Sequence, residues 1–279
     1  MRMALALVVG LLAGCAAPRS GPVPAGQGER IVSLDYCADQ MVLGLVPRRQ
    51  IAAVSPDADA DPLFAKPLSE GIPRVGPGIE RLLALRPTVV VRNYGGGPRI
   101  DAALSAAGVR VIELGYAADL PAARAATLTA GRALGQPLMA ARRAGELDAA
   151  LALAQQARQP HSRPRLLYTT PGMVTTGPDS LIGQLIITAG FANVQQRPGW
   201  NPLPLESMAA DPPDVIVRAF HESRAHRQDR WADGAHRQLR AATSGASLIH
   251  IPGSELACGN WRIGSALRRL LRARAQVQP

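Results

Sequence analysis

The feature that most constrains the fold is one sequence pattern that occurs twice in the chain. Residues 80–91 and 206–217 both begin with glutamate, pass through a short helical stretch to proline, and end in an apolar run rich in β-branched residues. Such a continuous apolar run is typical of a strand buried on both faces of a parallel sheet. The repetition therefore predicts two related α/β lobes.

Strands and helices alternate around both copies of this pattern. Asp179 is predicted to cap a helix over residues 180–189, which Gly190 ends. Alternation of this kind predicts an α/β fold with parallel sheets. Short apolar runs predict strands over residues 31–34, 51–54, 88–91, 109–114, 165–169, 214–218 and 248–251.

The middle of the chain has a different composition, which sets the predicted domain boundaries. Residues 119–157 are nearly all Ala, Leu, Arg, Glu and Gln, which favours two helices, over 120–134 and 137–157. The predicted organisation is therefore an N-terminal α/β lobe at 29–118, a helical linker with a long interlobe helix at 119–160, and a C-terminal α/β lobe with a terminal helix at 161–279.

The N-terminal segment has the pattern of an export signal. Arg2 precedes an apolar run over residues 3–12, which is shorter than the about 20 residues that span a bilayer and fits a secretory signal. The four residues ending at Cys15 resemble the bacterial lipobox, which implies a signal over residues 1–15 and lipid attachment to Cys15. The alternative is an ordinary signal peptide with a chance cysteine. Residues 16–28 are small and rich in Pro and Gly, which predicts a flexible tether.

The composition argues against nucleic-acid binding and catalysis. The net charge is +10, but Lys66 is the only lysine, the arginines are scattered, and aromatic residues make up only 4% of the chain. Nucleic-acid surfaces combine concentrated positive charge with aromatic residues for stacking. The chain also has no G-x-S-x-G, Walker or G-x-G-x-x-G motif, so we expect neither enzymatic activity nor a cofactor.

Two cysteines remain after Cys15. Cys37 and Cys258 form an even pair in a chain expected to reach an oxidising compartment, where disulfides form and persist. They either bridge and close a very long loop or stay as two free thiols. The sequence leaves both possibilities open.

A second possible function is binding of a bare metal ion such as zinc. Its candidate ligands are His221, Glu222, His226, His236 and Cys258. A zinc-protease helix needs histidines at i and i+4. His221 and His226 are at i and i+5, about 140° apart on a helix, which argues against a zinc protease. A histidine cluster within one lobe is more often solvated surface, so binding of a bare metal ion stays the alternative function.

With these elements in this order, the chain resembles the periplasmic substrate-binding proteins of ABC importers for iron siderophores, haem and cobalamin. The opening strand and helix at 30–40, the second strand at 50–55, the segment 176–193 and the two copies of the repeated pattern carry the resemblance. It implies two lobes joined by a rigid helix and a ligand bound between the lobes. It also implies a monomer that delivers its ligand to a membrane permease and is coupled, through that permease, to an ATPase.

The resemblance also implies roles for individual residues. Glu80 and Glu206 match the glutamates that dock into arginine pockets of the permease; the alternative is a pair of first-turn acids favoured by the helix dipole. Trp200 falls where cobalamin binders carry a cleft tryptophan, whereas Trp261 fits the cleft or the core. The predicted ligand cleft contains Asp57, Arg92, Tyr94, Met173, Trp200 and Trp261.

The expected ligand is a metal chelate. A ferric siderophore is placed ahead of a corrinoid, with haem third, and none of them is a cofactor of the protein. The expected location is the periplasm, with the protein anchored to a membrane only through the lipid on Cys15. Proximity to a permease favours the inner membrane.

Overall fold

The computed structural model describes residues 28–97, 99–157, 162–220 and 244–277. Within these ranges the strands form two parallel four-stranded sheets and one antiparallel two-stranded sheet. The strands are β1 Ile31–Ser33, β2 Ile51–Ala53, β3 Val89–Arg92, β4 Arg110–Glu113, β5 Arg165–Thr169, β6 Val174–Thr176, β7 Ala192–Asn193, β8 Trp200–Pro202, β9 Val215–Ala219 and β10 Ser247–Ile251. The helices are α1 Tyr36–Leu45, α2 Ala65–Leu68, α3 Ile79–Ala84, α4 Ile100–Ala106, α5 Leu120–Ala133, α6 Pro137–Gln156, α7 Leu181–Thr188, α8 Leu205–Ala210 and α9 Ile263–Gln276.

Several predicted features lie outside the described residues. They are the signal over residues 1–15 with Cys15, the tether over residues 16–27, and the candidate metal ligands His221, Glu222, His226 and His236.

The two parallel sheets have the same topology. The first has the strand order β2-β1-β3-β4, and the second has the order β7-β5-β9-β10. Each strand of the first sheet therefore has a counterpart at the same position of the second. The repeated sequence pattern occupies equivalent places, because α3 leads into β3 and α8 leads into β9. The predicted α/β fold with parallel sheets is confirmed.

The buried residues of the repeated pattern explain why it forms this unit. Leu82 on α3 and Met208 on α8 hold the same place in the pattern, and both are fully buried. Val89 and Val215 begin the two strands and are equally buried. Each short helix is therefore held to its lobe mainly by one fully buried apolar side chain, while the glutamate in its first turn is exposed.

Helix α6 is a rod against which α5 and α9 pack. At about 1.5 Å per residue, its 20 residues extend about 30 Å. Small residues allow close approach: a Cβ at Gly131 of α5 would lie 2.0 Å from the Cβ of Ala140, and one at Gly264 of α9 would lie 2.9 Å from the backbone of Leu147. None of the described helices has the length and apolar character of a membrane span.

The start of α7 corrects one detail of the sequence analysis. Ser180, rather than Asp179, caps the helix, because its Oγ accepts a hydrogen bond of 2.9 Å from the N–H of Gly183. The carboxylate of Asp179 instead accepts from the N–H of Gly199 at 2.9 Å. The acid thus holds the loop before β8 against the start of α7.

The segment before α9 returns from the second lobe to the first. Cys258 is bonded to Cys37 of α1, with their Cα atoms 5.2 Å apart. Two residues further on, Asn260 Nδ2 donates to Gln40 Oε1 at 3.0 Å, and Gln40 Nε2 donates to the carbonyl oxygen of Ser254 at 3.0 Å. The two lobes are thus joined by a covalent bond and a buried polar network as well as by α6.

Trp261 is part of the first-lobe core and does not lie at the cleft, which corrects its predicted cleft position. Only 2% of its surface is exposed, and its ring packs edge-on against Phe64 with centroids 6.3 Å apart. The space for the indole exists because residue 44 is glycine: a Cβ there would lie 2.4 Å from the ring. Trp261 therefore anchors the returning segment.

Asp39 on α1 is a buried carboxyl group in the first lobe. Its oxygens accept hydrogen bonds from the Ser33 hydroxyl, from the Ser55 N–H at 2.9 Å and from the Ser55 hydroxyl at 2.6 Å. Burial nevertheless raises the pKa of Asp39 to about 6. Between about pH 4 and pH 6 the folded protein therefore holds a proton that the unfolded chain has already released.

We expect the free energy of unfolding to fall by about 3 kcal/mol as pH rises from about 4 to about 6, because protonation of Asp39 favours the folded state. The variant Asp39→Asn should lack this component, and urea unfolding of both proteins at several pH values measures the difference. Parallel pH profiles for the two proteins would contradict the prediction.

Candidate functional site

A cavity of about 180 Å³ lies between the two lobes. None of the described residues that line it carries a charge. An apolar, aromatic wall with a few polar groups is the usual form of a small-molecule site. The lining residues are Asn93, Gly115, Tyr116, Ala117, Tyr168, Ser180, Leu181, Ile182, Trp200, Phe220, Leu256, Ala257, Cys258 and Gly259.

The second-lobe wall of the cavity contains a pair of aromatic rings. Trp200 at the start of β8 meets Tyr168 of β5 edge-to-face, with ring centroids 6.2 Å apart. Trp200 is 54% exposed, whereas Tyr168 is 1% exposed. Trp200 thus lines the cavity, and its role in binding a ligand stays a prediction. Tyr168 was missed by the sequence analysis because its run, Arg165–Thr169, indicated only a buried strand.

The first-lobe wall is positioned by Asp35, which the sequence analysis also missed. Asp35 is buried and caps α1 with one carboxylate oxygen while the other binds the loop that follows β3. A Cβ at Gly95 in that loop would lie 2.4 Å from the carbonyl oxygen of Leu34, so only glycine allows the approach. The N–H groups that donate to Asp35 are those of Cys37, Ala38, Asn93, Tyr94 and Gly95, at 2.6–3.1 Å.

Replacing Asp35 with alanine is expected to destabilise the protein by about 3 kcal/mol, because five main-chain donors lose a charged acceptor. Chemical denaturation measures the loss. Asp119→Ala is the matched control: this carboxylate caps α5 through the N–H of Ala122 alone, and we expect a loss of about 1 kcal/mol. Equal losses of stability in the two variants would contradict the role of Asp35 in holding the loop after β3 to the start of α1.

Three of the other predicted cleft residues are not part of the described lining of this cavity. Tyr94 is 59% exposed next to Asn93, and burial together with the charges of Asp35 and Asp57 raises its pKa to about 12. Asp57 itself is exposed in a 3₁₀ turn after β2. Met173 adopts a φ of 55° in the turn between β5 and β6.

Arg92 does not face the cavity, which corrects its predicted cleft position. It is 6% exposed, and its Nη1 lies 2.6 Å from Asp101 Oδ2 on α4. All residues of β3 are buried, and the buried guanidinium of Arg92 is paired with this carboxylate of the same lobe. The cavity therefore has no cationic wall at this point.

The two glutamates of the repeated pattern are presented in equivalent ways. Glu80 and Glu206 are exposed, each in the first turn of a six-residue helix. Within the described part of the chain, neither side chain takes part in a recorded ion pair or hydrogen bond. Both carboxylates are thus free to meet a partner's cations.

Two arginines hold these helices at their C-terminal ends. Arg30 donates through Nε and Nη2 to the carbonyl oxygen of Leu85, at 3.1 and 2.9 Å, where α3 ends. Arg165, the first residue of β5 in the second sheet, pairs with the carboxylate of Asp211, where α8 ends. A cation at a helix C-terminus is favourable. The two short helices are therefore alike at both ends: each has an exposed glutamate in its first turn and an arginine at its C-terminal end.

The described residues do not contain a cluster of three or more potential metal ligands. Cys258 is bonded to Cys37 and so has no thiolate to offer a metal ion. This removes one of the candidate ligands for bare-metal binding that the sequence analysis considered.

Comparison of this sequence with known protein families agrees with this architecture. A model of the periplasmic binding protein family matches residues 31–234, which is most of the chain. The chain belongs to the periplasmic binding protein family. This confirms the resemblance on which the sequence analysis relied, and members of this family are transport binding proteins. A search of curated proteins finds no match.

Solved structures of periplasmic binding proteins share the fold. The haem-binding protein RhuT from Roseiflexus sp. RS-1 superimposes with a TM-score of 0.70 at 24% identity, covering 88% of this chain and 99% of its own. A haem-binding protein from Pseudomonas aeruginosa gives 0.65 at 23%, covering 90% and 94%. The vitamin B12-binding protein BtuF of Vibrio cholerae gives 0.64 at 19%, covering 92% and 100%. At these identities the likeness establishes the fold.

Proposed function

We propose that this periplasmic binding protein is the solute-binding subunit of an ABC importer and carries a metal chelate in the cavity between its lobes. The observation that carries the proposal is the aromatic cavity, whose described lining residues are uncharged, together with the two equivalent, exposed glutamates. The cavity offers aromatic surface to a macrocycle or chelate. The glutamates offer two anchoring points to a permease, and such charge complementarity sets orientation on docking.

The ligand we favour is a corrinoid, ahead of a ferric hydroxamate siderophore and of haem. The solved structures of similar fold include proteins described as binding haem and vitamin B12. An uncharged wall among the described lining residues suits a largely apolar macrocycle better than a highly charged chelate. The protein itself performs no chemistry in this proposal, and the ATPase of the importer supplies the energy.

Lipid attachment at Cys15 completes the proposal. The anchor and the tether over residues 16–28 would keep the binding protein close to its permease, which raises its effective concentration there. The inner membrane, where the permease resides, is the favoured location. The protein acts as a monomer, with one cavity and one pair of docking glutamates for each permease.

Absorption spectroscopy of the protein purified from its host tests the proposed function directly. We expect a carried corrinoid, haem or ferric chelate to show its own absorption. Titration of the stripped protein with cyanocobalamin, haemin or a ferric trihydroxamate should quench tryptophan fluorescence saturably, because Trp200 lies in the cavity wall. Tight zinc binding that disappears in a protein carrying both His221→Ala and His226→Ala, with no chelate bound, would overturn the proposal.

A further inference from the structure

The hydroxyl group of Tyr168 is buried without a hydrogen-bond partner among the described residues. The side chain is 1% exposed and lines the cavity between the lobes. A buried hydroxyl that has given up water without gaining a partner destabilises the protein. An unpaired donor in the wall of a binding cavity therefore has a use when the cavity is filled.

The surroundings of Tyr168 decide what its hydroxyl can do. Burial raises the pKa of this phenol well above its usual range, so the group keeps its proton and acts as a donor. Ser180, also in the cavity lining, is already engaged, since its Oγ donates to the Gly177 carbonyl at 3.0 Å and accepts from the Gly183 N–H at 2.9 Å. Tyr168 is thus a protonated donor among described lining residues that carry no charge.

An uncharged wall discriminates between possible acceptors. A carboxylate placed against Tyr168 would give up its hydration for one neutral donor, with no charged side chain among the described lining residues to compensate. An amide or hydroxamate carbonyl loses much less on burial and accepts the same hydrogen bond. The favoured acceptor is therefore a neutral carbonyl oxygen.

Resting on the proposed function, we propose that Tyr168 determines ligand specificity by donating a hydrogen bond to an uncharged carbonyl oxygen of the chelate. This favours ligands that carry amide side chains, such as corrinoids, or neutral hydroxamates, over ligands whose only oxygen groups are carboxylates. The hydroxyl itself is buried, so a ligand reaches it only when the neighbouring, half-exposed ring of Trp200 changes rotamer.

The variant Tyr168→Phe tests the inference, because it keeps the ring and removes only the hydroxyl. Cyanocobalamin is the probe, and we expect its affinity to fall about tenfold while the unfolding midpoint of the ligand-free protein stays the same or rises. A residue with a merely structural role would not move these two quantities in opposite directions. Tyr36→Phe is the matched control: Tyr36 on α1 lies outside the described lining of the cavity, so loss of its hydroxyl should leave the affinity unchanged.

The outcomes separate this inference from the proposed function. Undiminished binding of cyanocobalamin by Tyr168→Phe would overturn the role of Tyr168 and leave the proposed function standing. Wild-type protein that binds haemin but neither cyanocobalamin nor a ferric trihydroxamate would overturn the preference for a neutral carbonyl. Failure of the wild-type protein to bind any of the three probes would overturn the proposed function itself.

Discussion

Replacing Glu80 and Glu206 together with alanine is expected to abolish uptake of the ligand while leaving its affinity for the purified protein unchanged. The two carboxylates project from equivalent helices of the two lobes, and both are exposed. Charge-assisted bonds to arginine are among the stronger polar contacts that an interface can make. The lining of the cavity includes neither residue, so the site of binding and the site of docking are separate.

Uptake of labelled ligand by cells and equilibrium titration of the purified variant measure the two halves of this prediction. The single variants should each keep part of the uptake, because one of the two contacts survives. A protein carrying Glu70→Ala and Glu113→Ala is a control with the same change in charge at two other exposed positions. Loss of ligand binding in the Glu80 and Glu206 double variant would contradict the assignment of these glutamates to permease docking. Uptake at the wild-type rate would contradict it as well.

Removing the bond between Cys37 and Cys258 is expected to lower the free energy of unfolding by about 5 kcal/mol in the chain-entropy model. The two cysteines are 221 residues apart, so the bond closes a loop that includes most of the folded chain. A cross-link that closes a long loop stabilises the folded protein the most, because it restricts the unfolded ensemble most strongly. The loss should therefore be larger than for any surface substitution in the protein.

Denaturant unfolding of a protein carrying Cys37→Ser and Cys258→Ser measures this loss, and the wild-type protein under reducing conditions should match it. The Asn260–Gln40 hydrogen bond and the buried Trp261 still hold the returning segment, so the variant should fold into the same structure. Unchanged stability on reduction would show that the two thiols are not joined in the folded protein.

The fold was largely predictable because its signals are local. The strand at residues 88–91 was predicted from consecutive apolar and β-branched residues, and the structure places β3 at Val89–Arg92. Helices predicted at 120–134 and 137–157 are observed as Leu120–Ala133 and Pro137–Gln156. The helix, proline and strand of the repeated pattern lie close together in the sequence, so each copy specifies its own helix and strand.

The site was less predictable because its contacts join distant residues. Arg92 flanks a strand end, but a partner on the next helix removes it from the cavity. Trp261 enters the core because Gly44, far away in the sequence, leaves room for its ring. Tyr168 looks like any residue of a buried strand until the cavity beside it and the unpaired hydroxyl are seen together.

The repeated pattern, read from the sequence alone, predicted two related α/β lobes, and the resemblance to periplasmic substrate-binding proteins pointed to Glu80 and Glu206 on their short helices. The tertiary structure alone decided which side chains line the space between the lobes and that Cys37 meets Cys258. The physical reason is one of range. Backbone preference and the period of apolar residues act over a few positions, whereas a cavity wall or a disulfide depends on where separate segments come to rest.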